Sequence, residues 1–188
     1  MNHNTVFDPA FEIEDSDKKD FNYQKELTKK LDQDISDFDQ NKLNAIVLWK
    51  VNRFASFDNE TIEAINSIDK NETAILDIEK TRHVLTLLLK TGGVRLAMAS
   101  TILRFRNPHI YQIIDQRVYR ILYEDINPFK VTTTNTTDKH IESQIDLYLQ
   151  YLDDLKAACT KLNIDFEDSD RVLYMADKRV NKEHKLRW

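Results

Sequence analysis

Apolar residues recur along this chain at three- and four-residue steps, the spacing that lays them on one side of a helix. Phe21, Leu27, Leu31, Ile35 and Phe38 set the first such pattern. Leu43, Ile46, Val47, Trp49 and Val51 crowd a second segment so densely that a more buried helix is expected there. A short helix is predicted over 59–68 with Asp58 as N-cap. A longer one is predicted from a cap at Asn71, with Ile75, Ile78, Val84, Leu85, Leu88 and Leu89 on its apolar side. Helix resumes over 95–105 and stops at Asn107-Pro108, because the residue before a proline avoids the helical region. Tyr111 to Ile114 reads as a short extended link, and Asp115 stands where a helix over 116–123 should begin. A polar loop then spans 127–137, a long helix 138–162, and a last helix is expected with Ser169 as its cap. Residues 1–20 show no such period and read as a loose acidic arm, leaving 21–188 as the helical unit.

Composition narrows the class. The 188 residues include only 2 glycines and 3 prolines, too few for the tight turns of a β-sandwich or barrel. A Rossmann fingerprint or a P-loop would need more glycines at fixed spacing. An all-α protein is what remains, and a chain this long buries about 70% of its unfolded surface. Cys159 is the only cysteine, which excludes a disulfide within the chain and a four-cysteine zinc or iron–sulfur site. The five histidines lack metal-ligand spacing, so no metal and no other cofactor is expected. Without an apolar leader or a run of about 18 apolar residues, a cytoplasmic protein is expected.

Charge changes the picture more than its total suggests. The net charge is −5, yet residues 1–40 hold 11 acids against 5 lysines, and residues 80–123 hold 8 bases against Asp115 alone. That asymmetry suggests a basic working face on an acidic protein. The alternative is that these bases solvate helix surfaces and pair with acids elsewhere.

Both glycines, Gly92 and Gly93, stand side by side between two predicted helices. Such a turn uses the positive φ that glycine adopts without steric cost, and it leaves N–H groups at the next helix start free to hold an anion. An ordinary chain reversal needs the same residues. Asp115 follows 22 residues after Gly93 at a helix start, where a carboxylate gains N–H contacts and is expected to stay ionised. A plain N-cap is the commoner role of such an Asp; a phosphate-holding turn in basic surroundings favours a second one.

The stretch Leu89-Lys90-Thr91-Gly92-Gly93-Val94-Arg95-Leu96-Ala97-Met98-Ala99-Ser100, followed by Tyr111-Gln112-Ile113-Ile114-Asp115-Gln116-Arg117-Val118-Tyr119-Arg120, resembles the helix-hairpin-helix DNA glycosylase superfamily. Members carry a Leu-Pro-Gly-Val-Gly hairpin, a helix, and an extended link ending in Val-Asp before another helix. The resemblance spans about residues 85–123. It implies a helix-hairpin-helix DNA glycosylase-like fold, DNA as partner, and a flipped base in a pocket. By match, Asp115 takes the place of the catalytic aspartate, which stabilises the oxocarbenium-like sugar and orients the attacking water. Gly93, Val94 and Arg95 match the hairpin that grips the phosphate backbone, with Gly92 and Lys90 beside them in the expected DNA-binding set.

Three departures matter. Arg95 replaces the second hairpin glycine, although its guanidinium could hold a phosphate instead. Ala97 occupies the position of the Schiff-base lysine, so a glycosylase of this kind should lack a lyase step. The iron–sulfur cluster of some members is excluded by the single cysteine. Trp49, beside Lys50 and Arg53, and Tyr111 are the candidate base-pocket residues, although a core tryptophan flanked by surface bases looks the same. His109 lies in the loop before Asp115, and Tyr148 and Tyr151 are expected to pack. The expected activity is a monofunctional DNA N-glycosylase acting on a damaged or modified base. The alternatives are a non-catalytic helix-hairpin-helix DNA-binding module and a protein-interaction module.

Overall fold

The architecture is that of a computed structural model, which describes residues 24–51, 55–125, 137–184 and 186. The described residues are all-α, with eight α-helices and no strand. None of these helices is long and apolar enough to cross a membrane. The expected arm over 1–20, the helix start at Phe21, Arg53 and the loop over 127–136 lie outside the described residues.

The chain divides into two compact units after Phe54. In the first, α1 (Lys25–Gln33) packs on α2 (Gln40–Lys50). Asp39 caps α2 by accepting a 2.7 Å hydrogen bond from the Lys42 amide. The Trp49 indole N–H donates to Thr28 Oγ1 at 2.8 Å. Against expectation, α2 buries none of its residues. At 100° per residue, Leu43, Ile46, Val47, Leu48 and Trp49 point around the whole circumference, so dense apolar content there makes no single buried face.

The second unit holds α3 (Asn59–Asn66), α4 (Ile78–Lys90), α5 (Leu96–Arg106), α6 (Gln116–Leu122), α7 (Asp138–Leu162), a 3₁₀ turn at Phe166–Asp168 and α8 (Ser169–Val180). Asp58 caps α3 as expected, accepting from the Thr61 amide at 2.7 Å. Helix α4 begins seven residues beyond the expected cap Asn71, with Asp77 accepting from the Lys80 amide. The intervening chain has a better local option: the Glu72 carboxylate accepts from the amides of Ala74 and Ile75. Ile75 and Ile78 consequently stay exposed, while Val84, Leu85, Leu88 and Leu89 enter the core. Ser169 is not the cap of α8 but its first residue, buried, with its hydroxyl donating to the Phe166 carbonyl. The N-cap position belongs to Asp168, which makes no side-chain cap bond.

α4 packs against α3, α5 and α7, and α6 packs against α7 and α8. Tyr148, Tyr151, Leu152 and Leu155 of α7 are completely buried among Leu85, Leu88, Leu103 and Ile114, so the two tyrosines do pack. Asn107 ends α5 and ties the loop before α4 to the chain after it. Its side-chain amide donates to the carbonyls of Asp69 and Glu72 at 2.7 and 2.8 Å, and its Oδ1 accepts from the His109 amide.

The tightest polar joint links α6 to α8. Asp177 has no exposed surface and receives Arg120 through two nitrogens at 2.9 and 2.6 Å, Arg117 at 3.0 Å, and the Asn181 amide at 2.7 Å. Burial alone would raise its pKa; the hydrogen bonds from Arg120, Asn181 and Arg117 outweigh that and hold the carboxyl below its ordinary range. A carboxylate with a depressed folded pKa contributes stability above its unfolded pKa and loses it as pH falls through the folded one. Asp177→Ala should therefore cost about 3–5 kcal/mol at neutral pH by urea unfolding, because two guanidinium groups lose their partner. The difference between wild type and variant should narrow as the medium is acidified below the ordinary carboxylate range.

Candidate functional site

The two glycines form the turn between α4 and α5. The Val94 amide closes it by donating to the Thr91 carbonyl at 3.1 Å, and Gly93 takes the left-handed conformation at φ 84°. Nothing lies within 4 Å of where a Cβ would stand on either glycine, so Gly93 is required by its φ and the turn faces open space. Arg95 is the N-cap of α5 but makes no side-chain cap bond, leaving first-turn amides of α5 without a side-chain acceptor from it. Val94, in contrast, is buried, and only its backbone belongs to the turn. Lys90 pairs with Asp138 at 3.0 Å on the surface.

A turn over 108–110, closed by the Tyr111 amide donating to the Asn107 carbonyl at 3.1 Å, leads into residues 111–115, which have no regular secondary structure and whose backbone is held in part by side chains. The Tyr148 hydroxyl donates to the Gln112 carbonyl at 2.9 Å and the Tyr151 hydroxyl to the Ile113 carbonyl at 2.7 Å. The Ile114 amide donates to Ser100 Oγ at 3.2 Å, and that hydroxyl donates in turn to Ala97 within α5. The link is therefore fixed to α5 on one side and α7 on the other, immediately before Asp115.

Asp115 is the N-cap of α6, as expected. Its Oδ1 accepts from the amides of Arg117 at 2.7 Å and Val118 at 2.8 Å. Its Oδ2 makes no hydrogen bond among the described residues. Its pKa nevertheless moves upward from the ordinary aspartate value. Burial is the largest influence and raises the pKa, helped by the charge of Asp170, while the two amides and the Arg117 charge only partly offset it. Spacing alone carries no information on this desolvation.

The basic segment is largely paired. Arg82 meets Asp146, Lys80 meets Asp77 at 3.8 Å, and Arg117 and Arg120 hold Asp177. Arg104 is buried, donating to the Glu167 carbonyl at 3.1 Å with Asp170 at 3.8 Å. Arg106 closes the end of α3 through the carbonyls of Asn66 and Ile68. Arg95 is exposed and has no ion pair among the described residues. The charge excess read along the sequence is thus mostly spent on acids and carbonyls from other elements, not displayed as a basic face.

The remaining candidates separate. Tyr111 is buried, its hydroxyl 2.8 Å from Thr81 Oγ1, and its pKa is raised chiefly by burial. It lines a recess of about 200 Å³ with Ile68, Glu72, Lys80 and Asn107, not the Asp115 cap. Its hydroxyl is committed to Thr81 of α4. His109 approaches Glu167 at 2.6 Å beside an open cleft of about 750 Å³ lined by Lys156, Cys159 and Phe166. Trp49 belongs to the first unit and is half-buried there. Sequence reasoning missed Ser100, Tyr148 and Tyr151 as the residues that fix the Asp115 segment; their apolar neighbours signal only packing.

The chain matches no protein-family model, no curated protein and no solved structure.

Two substitutions at Asp115 test its local role. Asn retains an acceptor for both amides, so Asp115→Asn should change stability by less than about 0.5 kcal/mol, whereas Asp115→Ala should lose about 1 kcal/mol in urea unfolding. The Asp115 carboxyl, followed by NMR, should titrate above the ordinary aspartate range. A midpoint below that range would contradict burial as its dominant influence.

Proposed function

We propose that this chain is a monofunctional DNA N-glycosylase of the helix-hairpin-helix type, with Asp115 as its catalytic carboxylate. One observation carries the reading. A half-buried carboxylate with one unengaged oxygen is held on a rigid link that the Ser100 hydroxyl ties to the same helix whose N-terminus follows the Gly92-Gly93 turn. The turn would receive a backbone phosphate on its free amides, with Arg95 as the cation beside it. The carboxylate would then stand at a fixed offset from that phosphate, as cleavage of one chosen nucleotide requires.

In this reaction the flipped base departs with the electron pair of its glycosidic bond, and positive charge develops on the sugar. The ionised Asp115 stabilises that charge through Oδ2, while Oδ1 stays on the α6 amides. Water then adds to C1′ and gives up a proton. A carboxylate whose pKa is raised by burial is a better acceptor for that proton than an exposed one. Ala97 supplies no amine, so the reaction ends at hydrolysis without strand cleavage.

The two α6 amides held by Asp115 Oδ1 favour a second reading, in which Asp115 only caps α6 and the unit is a non-catalytic DNA-binding module. Incubation with duplexes carrying uracil, 8-oxoguanine, alkylated purines or modified cytosines, followed by alkali, decides between them. Wild type should give scission at one of these bases and Asp115→Asn about 10²–10³-fold less, with unchanged folding. Equal scission by both proteins removes Asp115 from the chemistry. A borohydride-trapped protein–DNA adduct would refute the monofunctional assignment.

A further inference from the structure

Helix α8 sorts its charges by sign. Its acids Asp170 and Asp177 face inward, 3% and 0% exposed, and are engaged by Arg104, Arg117 and Arg120. Its bases Arg171, Lys178 and Arg179 face outward, and none makes an ion pair among the described residues. At 100° per residue Arg171, Tyr174, Met175 and Lys178 fall on one stripe, and Lys182 continues it in the turn beyond. The stripe carries Arg171 and Lys178 with Tyr174 and the exposed Met175 between them, and Tyr174 has the Arg117 guanidinium 5.5 Å and the Lys178 ammonium 5.7 Å from its ring centre.

The stripe also adjoins the candidate site. Arg117 gives its amide to Asp115 Oδ1 and its guanidinium to Asp177 of α8, so one residue joins the carboxylate to the base of the stripe. From Arg171 to Lys178 the helix rises about 10 Å, the length of about three nucleotides of one strand at 3.4 Å each. A surface aromatic between two cations suits a sugar–phosphate backbone, which offers charge to the bases and an apolar sugar face to the ring.

We infer that the outer face of α8, through Arg171, Tyr174 and Lys178, is a second contact for the DNA backbone beside Asp115. The inference rests on the DNA reading above but not on catalysis. It also relocates the electrostatic grip: the free cations lie on α8, whereas those of the segment 80–123 are mostly consumed inside the fold.

Anisotropy of a short labelled DNA duplex between about 50 and 200 mM salt tests this with the full chain. Arg171→Gln with Lys178→Gln should weaken binding about 10-fold at the low-salt end. The same pair should reduce the slope of log affinity against log salt by about 2, since each phosphate contact contributes about 0.9. Both side chains are exposed, and circular dichroism melting should be unchanged. An unaltered slope in this double variant, with binding lost in Arg95→Glu, overturns the inference and leaves the hairpin reading intact. No salt-sensitive binding by wild type overturns both. Weakened binding in the double variant of a protein that cleaves no glycosidic bond supports the stripe and sinks the enzymatic reading. Poly-glutamate bound as tightly as the duplex would assign the stripe to acidic protein and overturn the DNA assignment.

Discussion

A non-helical segment packed into the interior of a helical unit creates a difficulty that the rest of this unit is built to meet. Backbone N–H and C=O groups removed from water need partners, and a segment outside helix and sheet has no regular ladder to supply them. Here the partners are side chains: Tyr148 and Tyr151 reach two successive carbonyls, and Ser100 takes the next amide. The two tyrosines are entirely enclosed, so their rings fill the core while their hydroxyls serve the backbone. Substituting either would open a void and strand a carbonyl together. The position of Asp115 is a by-product of this arrangement, because the segment cannot shift without releasing all three bonds.

The second organising feature is the way charges are used. Acids from the C-terminal half are threaded between arginines of the central segment, and Asp177 is the most demanding case. Two guanidinium groups on one buried carboxylate compensate its desolvation and fix α6 to α8 in one orientation. Arg117 serves this joint through its side chain and Asp115 through its amide. The stability of the helix pair and the electrostatics of the candidate carboxylate are therefore coupled through a single residue.

Much of this was legible in the chain. Poverty in glycine and proline pointed to an all-α fold, and the caps Asp58 and Asp115 were readable because an Asp before an apolar period has a specific job to do. The failures have physical causes. Ser169 resembled a cap, but its hydroxyl turns back to a carbonyl of the preceding turn. Glu72 captured amides that a longer α4 would have used. α2 looked buried because its apolar residues are many, although they do not share a face. The basic segment looked like a surface because linear charge counting cannot see Asp170 and Asp177, which lie far along the chain and fold onto it. The pKa of Asp115 was out of reach for the same reason, since desolvation belongs to the packed state.

The anchored link has one more consequence, for who must adapt in an encounter. Opening a segment held by three hydrogen bonds, two of them fully buried, would require local unfolding of the unit, so the carboxylate is preorganised and does not wait for a partner to position it. Any ligand that reaches Asp115 meets a fixed point on a stiff surface. The cost of fit then falls on the ligand's own deformability, and a ligand that must bend to reach the carboxylate bears that cost itself.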